Sequence, residues 1–174
     1  MARKYKYKKY YKRKGRWSAN INNIDETITV NPSSTGLLSV TLQTNPAQSS
    51  SSVSQQYTVK NVEFTYEVEG GVAGTINYLE NIQVYIMYVP QGMNITTNYP
   101  FQHPEYIMAY KWLGSPNYDN NTPNRNPQYI KTRLSRRLQT GDGIIFLLLA
   151  DNTESNNSLA LSVRGLVRYW TKAN

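Results

Sequence analysis

The chemistry in this chain is concentrated at its start. Residues 1–16 carry Arg3, Lys4, Lys6, Lys8, Lys9, Lys12, Arg13, Lys14 and Arg16, nine cations with no acidic residue among them. Tyr5, Tyr7, Tyr10 and Tyr11 are set between the lysines. Ammonium and guanidinium groups bind phosphates of any sequence by releasing counterions. Tyrosine rings stack on unpaired bases, at about 1–3 kcal/mol per base. The two residue types together suit single-stranded nucleic acid. A lipid surface calls for Leu or Phe beside the charge, and this segment has neither. Lys8-Lys9 and Lys12-Arg13-Lys14 also fit a nuclear import signal. A mitochondrial presequence fits less well, because those favour Arg and Ser on an amphipathic helix.

The rest of the chain is close to neutral. Of 19 basic residues in 174, ten lie beyond residue 16, against all 11 acidic ones, a balance of −1. A segment this charged and this poor in apolar residues cannot bury a core, so 1–16 is expected to be a disordered arm until it meets an anion. Residues 17–174 have the length of one compact domain.

A second basic group, Lys131, Arg133, Arg136 and Arg137, lies far from the arm in sequence. On a continuous strand Lys131, Arg133 and Arg137 share a face and could extend a nucleic-acid surface; the plainer alternative is a charged strand facing water. Glu63, Glu67 and Glu69 fall on one face of another strand, where they could hold a hard cation or pair with Arg or Lys. His103 is the only histidine, beside Pro104 in a polar loop, and reads as a surface or packing residue rather than a base. The chain has no cysteine, no H-E-x-x-H, no G-x-S-x-G and no glycine-rich phosphate loop. Catalytic residues, a metal site and a cofactor are therefore not expected.

The elements that must carry these groups are strands. Fifteen Tyr with abundant Ser, Thr and Asn favour β structure. Trp17 to Asn23 reads as a polar transition. Period-two alternation then begins, with Ile28, Val30, Leu38, Val40 and Leu42 inward, broken by turn residues Asn31 to Gly36. Asn45 to Ser54 reads as a polar loop. In Tyr57 to Glu69 the inward set is Val62, Phe64, Tyr66 and Val68. Tyr57 and Val59 are out of phase with it, so a bulge is expected near Lys60-Asn61. Gly70, Gly71 and Gly74 suggest a hairpin-type connection into a strand ending at Val89. Met93 to Pro127 is long and irregular; within it, Pro104 to Leu113 is a short helix or a short strand. Tyr129 to Gln139 reads as one strand. Ile144 to Ala150 is apolar at every position, which requires cover on both faces. Leu159, Leu161, Val163, Val167 and Tyr169 alternate in a final strand. About eight strands with long polar loops predict an all-β fold, a single eight-stranded jelly-roll sandwich with a disordered basic N-terminal arm. The longest apolar run is seven residues, Ile144 to Ala150, against the roughly 20 of a spanning helix. No apolar segment lies near the start, so neither a signal peptide nor membrane insertion is expected.

The layout resembles the capsid proteins of small circular, replication-initiator-encoding single-stranded DNA viruses, the circovirus-like group. Residues Met1 to Lys14 look like their basic, aromatic-laced arm. Tyr57-Thr58-Val59-Lys60-Asn61-Val62-Glu63-Phe64-Thr65-Tyr66 is similar to an early strand of theirs, and Ser162-Val163-Arg164-Gly165-Leu166-Val167-Arg168-Tyr169-Trp170 to their closing strand. The arm departs from the group's usual arginine-rich form in favouring Lys and Tyr. The resemblance implies a jelly-roll subunit in an icosahedral shell of sixty copies, with arms turned onto a single-stranded DNA genome. It also implies a virion location, with assembly in the host nucleus reached through host import machinery. Sixty arms of +9 would bring roughly 540 positive charges inside, on the scale of a short genome. Satellite RNA virus coat proteins, with a basic arm on one jelly roll, are the nearest rival and would imply RNA. A monomeric β-sandwich that binds nucleic acid without forming a shell is the other alternative.

Overall fold

In the computed structural model, residues 16–45, 56–70, 79–114 and 127–173 are described. Among the described residues nine strands form two antiparallel sheets: β1 (Ser18–Val30), β2 (Ser34–Thr44), β3 (Tyr57–Gly70), β4 (Leu79–Val89), β5 (Ile107–Gly114), β6 (Gln128–Lys131), β7 (Ser135–Leu138), β8 (Gly143–Asn152) and β9 (Leu159–Ala173). The first sheet runs β1-β9-β3-β6, with β7 also on β3; the second runs β2-β8-β4-β5. β6 and β7 follow one another along β3, on Phe64 and on Thr58 respectively, so they are one strand broken in the middle. Counted as one, they give eight strands in the two interleaved four-stranded sheets of a jelly roll. That is the fold expected from the alternation.

The layers meet over a core that the period-two pattern anticipates. Val62, Phe64, Tyr66, Leu161, Val163 and Val167 from the first sheet face Ile82, Val84, Ile86, Phe146 and Leu148 from the second. Phe64 stacks on Tyr66 at 4.8 Å and meets Phe146 edge-on at 4.7 Å, joining the sheets at their centre. The Tyr66 hydroxyl is buried with no hydrogen-bond partner among the described residues, and burial pushes its pKa up. Asn22 donates to the Tyr169 hydroxyl, which donates in turn to Gln43, so a polar clasp links the sheets at one end.

The apolar run in β8 is covered on both sides. Ile144, Phe146, Leu148 and Ala150 face the other sheet. Ile145, Leu147 and Leu149 face outward, under Met93, Ile95, Tyr99, Tyr106 and Ile107. The segment that closes this face includes the short helix α1 (Tyr99–Gln102) and a helical turn at Pro104–Tyr106.

Three expectations are corrected, and one left open between helix and strand is divided. Trp17 to Asn23 is mostly strand: β1 begins at Ser18, because it pairs with β9 from Ser18 opposite Thr171 onward. β3 and β4 are not hairpin partners but lie in different sheets, so the chain crosses the sandwich between them; Gly71 and Gly74 lie outside the described residues. Tyr129 to Gln139 is interrupted at Thr132–Leu134. Pro104 to Leu113 divides between a helical turn and a strand. The expected bulge is present: the β3–β9 register shifts between Lys60 and Glu63, and Asn61 has φ 51°. It lets Val59 and Val62, which differ in parity, both point inward.

Candidate nucleic-acid interface

β9 alternates from Leu159 to Tyr169, and by register its outward set is Ala160, Ser162, Arg164, Leu166, Arg168, Trp170 and Lys172. Register places neighbouring outward residues in rows across the first sheet. At the end where the chain enters β1, one row holds Arg137, Thr58 and Lys172, and the next Ser135, Lys60, Trp170 and Ala19. Arg16 is exposed just before β1. The Lys60 ammonium sits 3.9 Å from the Trp17 ring centroid, a cation–π contact that holds both groups at this end. Neither row contains an acid.

The character changes along the sheet. The third row is Lys131, Glu63, Arg168 and Ile21, with the Lys131 ammonium 5.6 Å from the Tyr129 ring. Farther on, Arg164 lies between Asp25 and Glu67. Its Nε donates to Asp25 at 2.9 Å, and Glu69 approaches at 3.9 Å. The Asp25 hydrogen bond and charge push the Arg164 pKa up. One face thus runs from cations and two tryptophans, in rows without an acid, to an acid-rich, paired end, over eight residues of β9, or roughly 26 Å.

Lys131 and Arg137 share this outward face, but not as one strand would place them. Each belongs to a separate piece, and exposed Arg133 lies in the break between them. Just past the end of β6, Thr132 donates its backbone N–H to Val62 O. Arg136 turns away: it donates to Glu105 O and lies over the Tyr88 ring at 5.6 Å. Lys60, Arg168, Lys172, Trp17 and Trp170 were missed from sequence. Each reads alone as an ordinary outward residue, and only the pairing of distant strands gathers them. Arg3, Lys4, Tyr5, Lys6, Tyr7, Lys8, Lys9, Tyr10, Tyr11, Lys12, Arg13 and Lys14 lie outside the described residues.

The glutamates and His103 have neighbours of their own. The glutamate row faces cations, and among the described residues no group of three His, Cys, Asp or Glu could hold a metal. His103 ends α1, stacks on Tyr106 at 5.3 Å and lies 3.3 Å from Glu105. Among the described residues no helix is long and apolar enough to cross a membrane.

No family model matches the chain, and no curated protein matches it. Among solved structures it is similar to a decameric BFDV capsid protein, at 10% identity and a TM-score of 0.37, over 90% of this chain and 99% of that one.

Proposed function

We propose that this chain is a viral coat subunit that assembles into an icosahedral shell and packages single-stranded nucleic acid, DNA rather than RNA. The observation that carries this reading is the coincidence of two charge features. The +9 arm joins the sandwich at the one end of the first sheet whose outward rows hold cations and tryptophans without acids. Phosphates gripped by the arm can continue onto Lys60, Arg137, Arg168 and Lys172, with Trp17 and Trp170 offering rings to unpaired bases. The role is structural: no residue is assigned to catalysis and no cofactor is needed. Sixty copies would enclose the genome, and the lysine patches of the arm would serve nuclear entry.

Electron microscopy of the purified full chain, with nuclease-treated particles assayed for DNA, tests the assembly. Closed particles with protected DNA are expected; a monomer at every salt and protein concentration overturns the reading. Binding to an oligothymidine is expected to weaken steeply with salt, at about 0.7 log units per log of salt for each phosphate neutralised. Removing residues 1–16 then flattens the slope by up to about 6, and Lys60→Ala/Arg137→Ala/Lys172→Ala by about 2. Binding that is indifferent to salt contradicts the role of the arm and the sheet together.

A further inference from the structure

The outward face of the second sheet is covered only in part, and the uncovered end holds a cleft of about 150 Å³ lined by Thr35, Asn81, Gln83, Asn98, Phe101 and Asp151, with Leu149 as floor. Its polar groups are fixed by one another. Thr35 donates to Asp151 at 2.6 Å and Asn81 donates to the other carboxylate oxygen at 2.9 Å. Gln83 and the Trp112 indole both donate to the Asn81 amide oxygen, at 3.0 and 3.2 Å, and the Tyr85 hydroxyl donates to Gln83.

The backbone is bent to make this arrangement. β4 is an interior strand, yet its register shifts against both neighbours around Asn81, which has φ 50°. Left-handed backbone at a residue other than glycine is costly, and a bulge re-aims side chains. Here it carries the Asn81 amide into the cleft. Two large aromatics flank the amides and are left in solvent: Phe101 is 62% and Trp112 63% exposed.

We propose that this cleft binds the ring of a neutral carbohydrate. Fixed amides and a carboxylate offer donors and acceptors to hydroxyls, and open aromatic faces take the apolar side of a sugar ring. The volume lies below the roughly 300 Å³ at which sites for larger ligands begin, so the occupant is one ring rather than a chain. No lysine or arginine lines the cleft among the described residues, and Asp151 is its one carboxylate, which disfavours phosphates and acidic sugars. The site lies on the other sheet from the cationic rows, so it stands independently of the nucleic-acid reading.

Saturation-transfer NMR on the full chain tests it, with the methyl glycosides of glucose, galactose, mannose and N-acetylglucosamine as separate probes. At least one is expected to bind in the millimolar range, as suits so small a ligand. N-acetylneuraminic acid, whose carboxylate would meet Asp151, is expected to give no transfer. Binding falls at least tenfold in Trp112→Ala and in Asn81→Gly, whose glycine keeps the backbone angle without strain. Three results overturn the proposal: no transfer to any neutral glycoside, binding only of the acidic sugar, or neutral-sugar binding unaltered in both variants. Altered self-association in Trp112→Ala with unchanged sugar binding also overturns it, and makes this face a contact between copies.

Discussion

Strands β8 and β9 hold equivalent places, each between two partners near the centre of a sheet, yet their outward faces have opposite fates. On β8 the outward residues are Ile145, Leu147 and Leu149, covered by the chain between Met93 and Ile107 except where the cleft opens beside Leu149. On β9 they include Arg164, Arg168, Trp170 and Lys172, left open. The chain thus covers most of one face with its own residues and leaves cations on the other.

The comparison has measurable consequences. The largest is for Leu147, which is fully buried although it lies outside the sandwich. Leu147→Ala is expected to lower unfolding free energy by about 2–5 kcal/mol, as for a leucine of the inner core. Urea titration beside Leu148→Ala measures it, and a cost under about 1 kcal/mol would mean that the covering segment is only loosely applied. Arg168→Ala, the matching probe on β9, should stay within about 0.5 kcal/mol.

A smaller effect comes from alkali. Burial first, then neighbouring ionisable groups, pushes the Tyr85 and Tyr99 hydroxyls from 10.0 up to about 12. Tyr110 adds to the first; Tyr106 and Glu105 add to the second. Because the folded value is raised, the stability these groups contribute is complete below pH 10.0 and is lost as pH climbs toward about 12. The thermal midpoint should therefore fall across that window, and less so in Tyr99→Phe. An equally steep fall in that variant would show that Tyr99 is not part of the alkaline weak point. Smallest of all is the exposed Asp25–Arg164 pair. Asp25→Asn should leave the midpoint within measurement error, since exposed ion pairs often contribute nothing measurable; a clear drop would mean that the acid-rich end of the open face also serves stability.

Much of this architecture is legible in the residues. Alternation in Val62 to Val68 and Leu159 to Tyr169 marks strands with one buried face, and the unbroken run Ile144 to Ala150 announces two. The change of parity between Val59 and Val62 locates the bulge. Other features depend on partners far away in sequence. Asn20, Asn22 and Asn23 carry no apolar rhythm, and become strand because β9 offers a continuous edge. The glycines after β3 resemble a hairpin, but local chemistry does not say whether a turn returns to its own sheet or crosses to the other. The interface is the least legible part: Lys60, Arg137 and Lys172 become neighbours only through register. The charge density of residues 1–16 is legible in the sequence alone.

The interruption at Thr132–Leu134 also bears on how copies can meet. An endless ladder of sheets, each adding edge-on to the last, needs two intact and complementary margins per molecule. β1 offers an intact margin of thirteen residues, while the opposite one is split into two four-residue pieces. Edge-to-edge growth through this sheet is thereby deprived of its second continuous template.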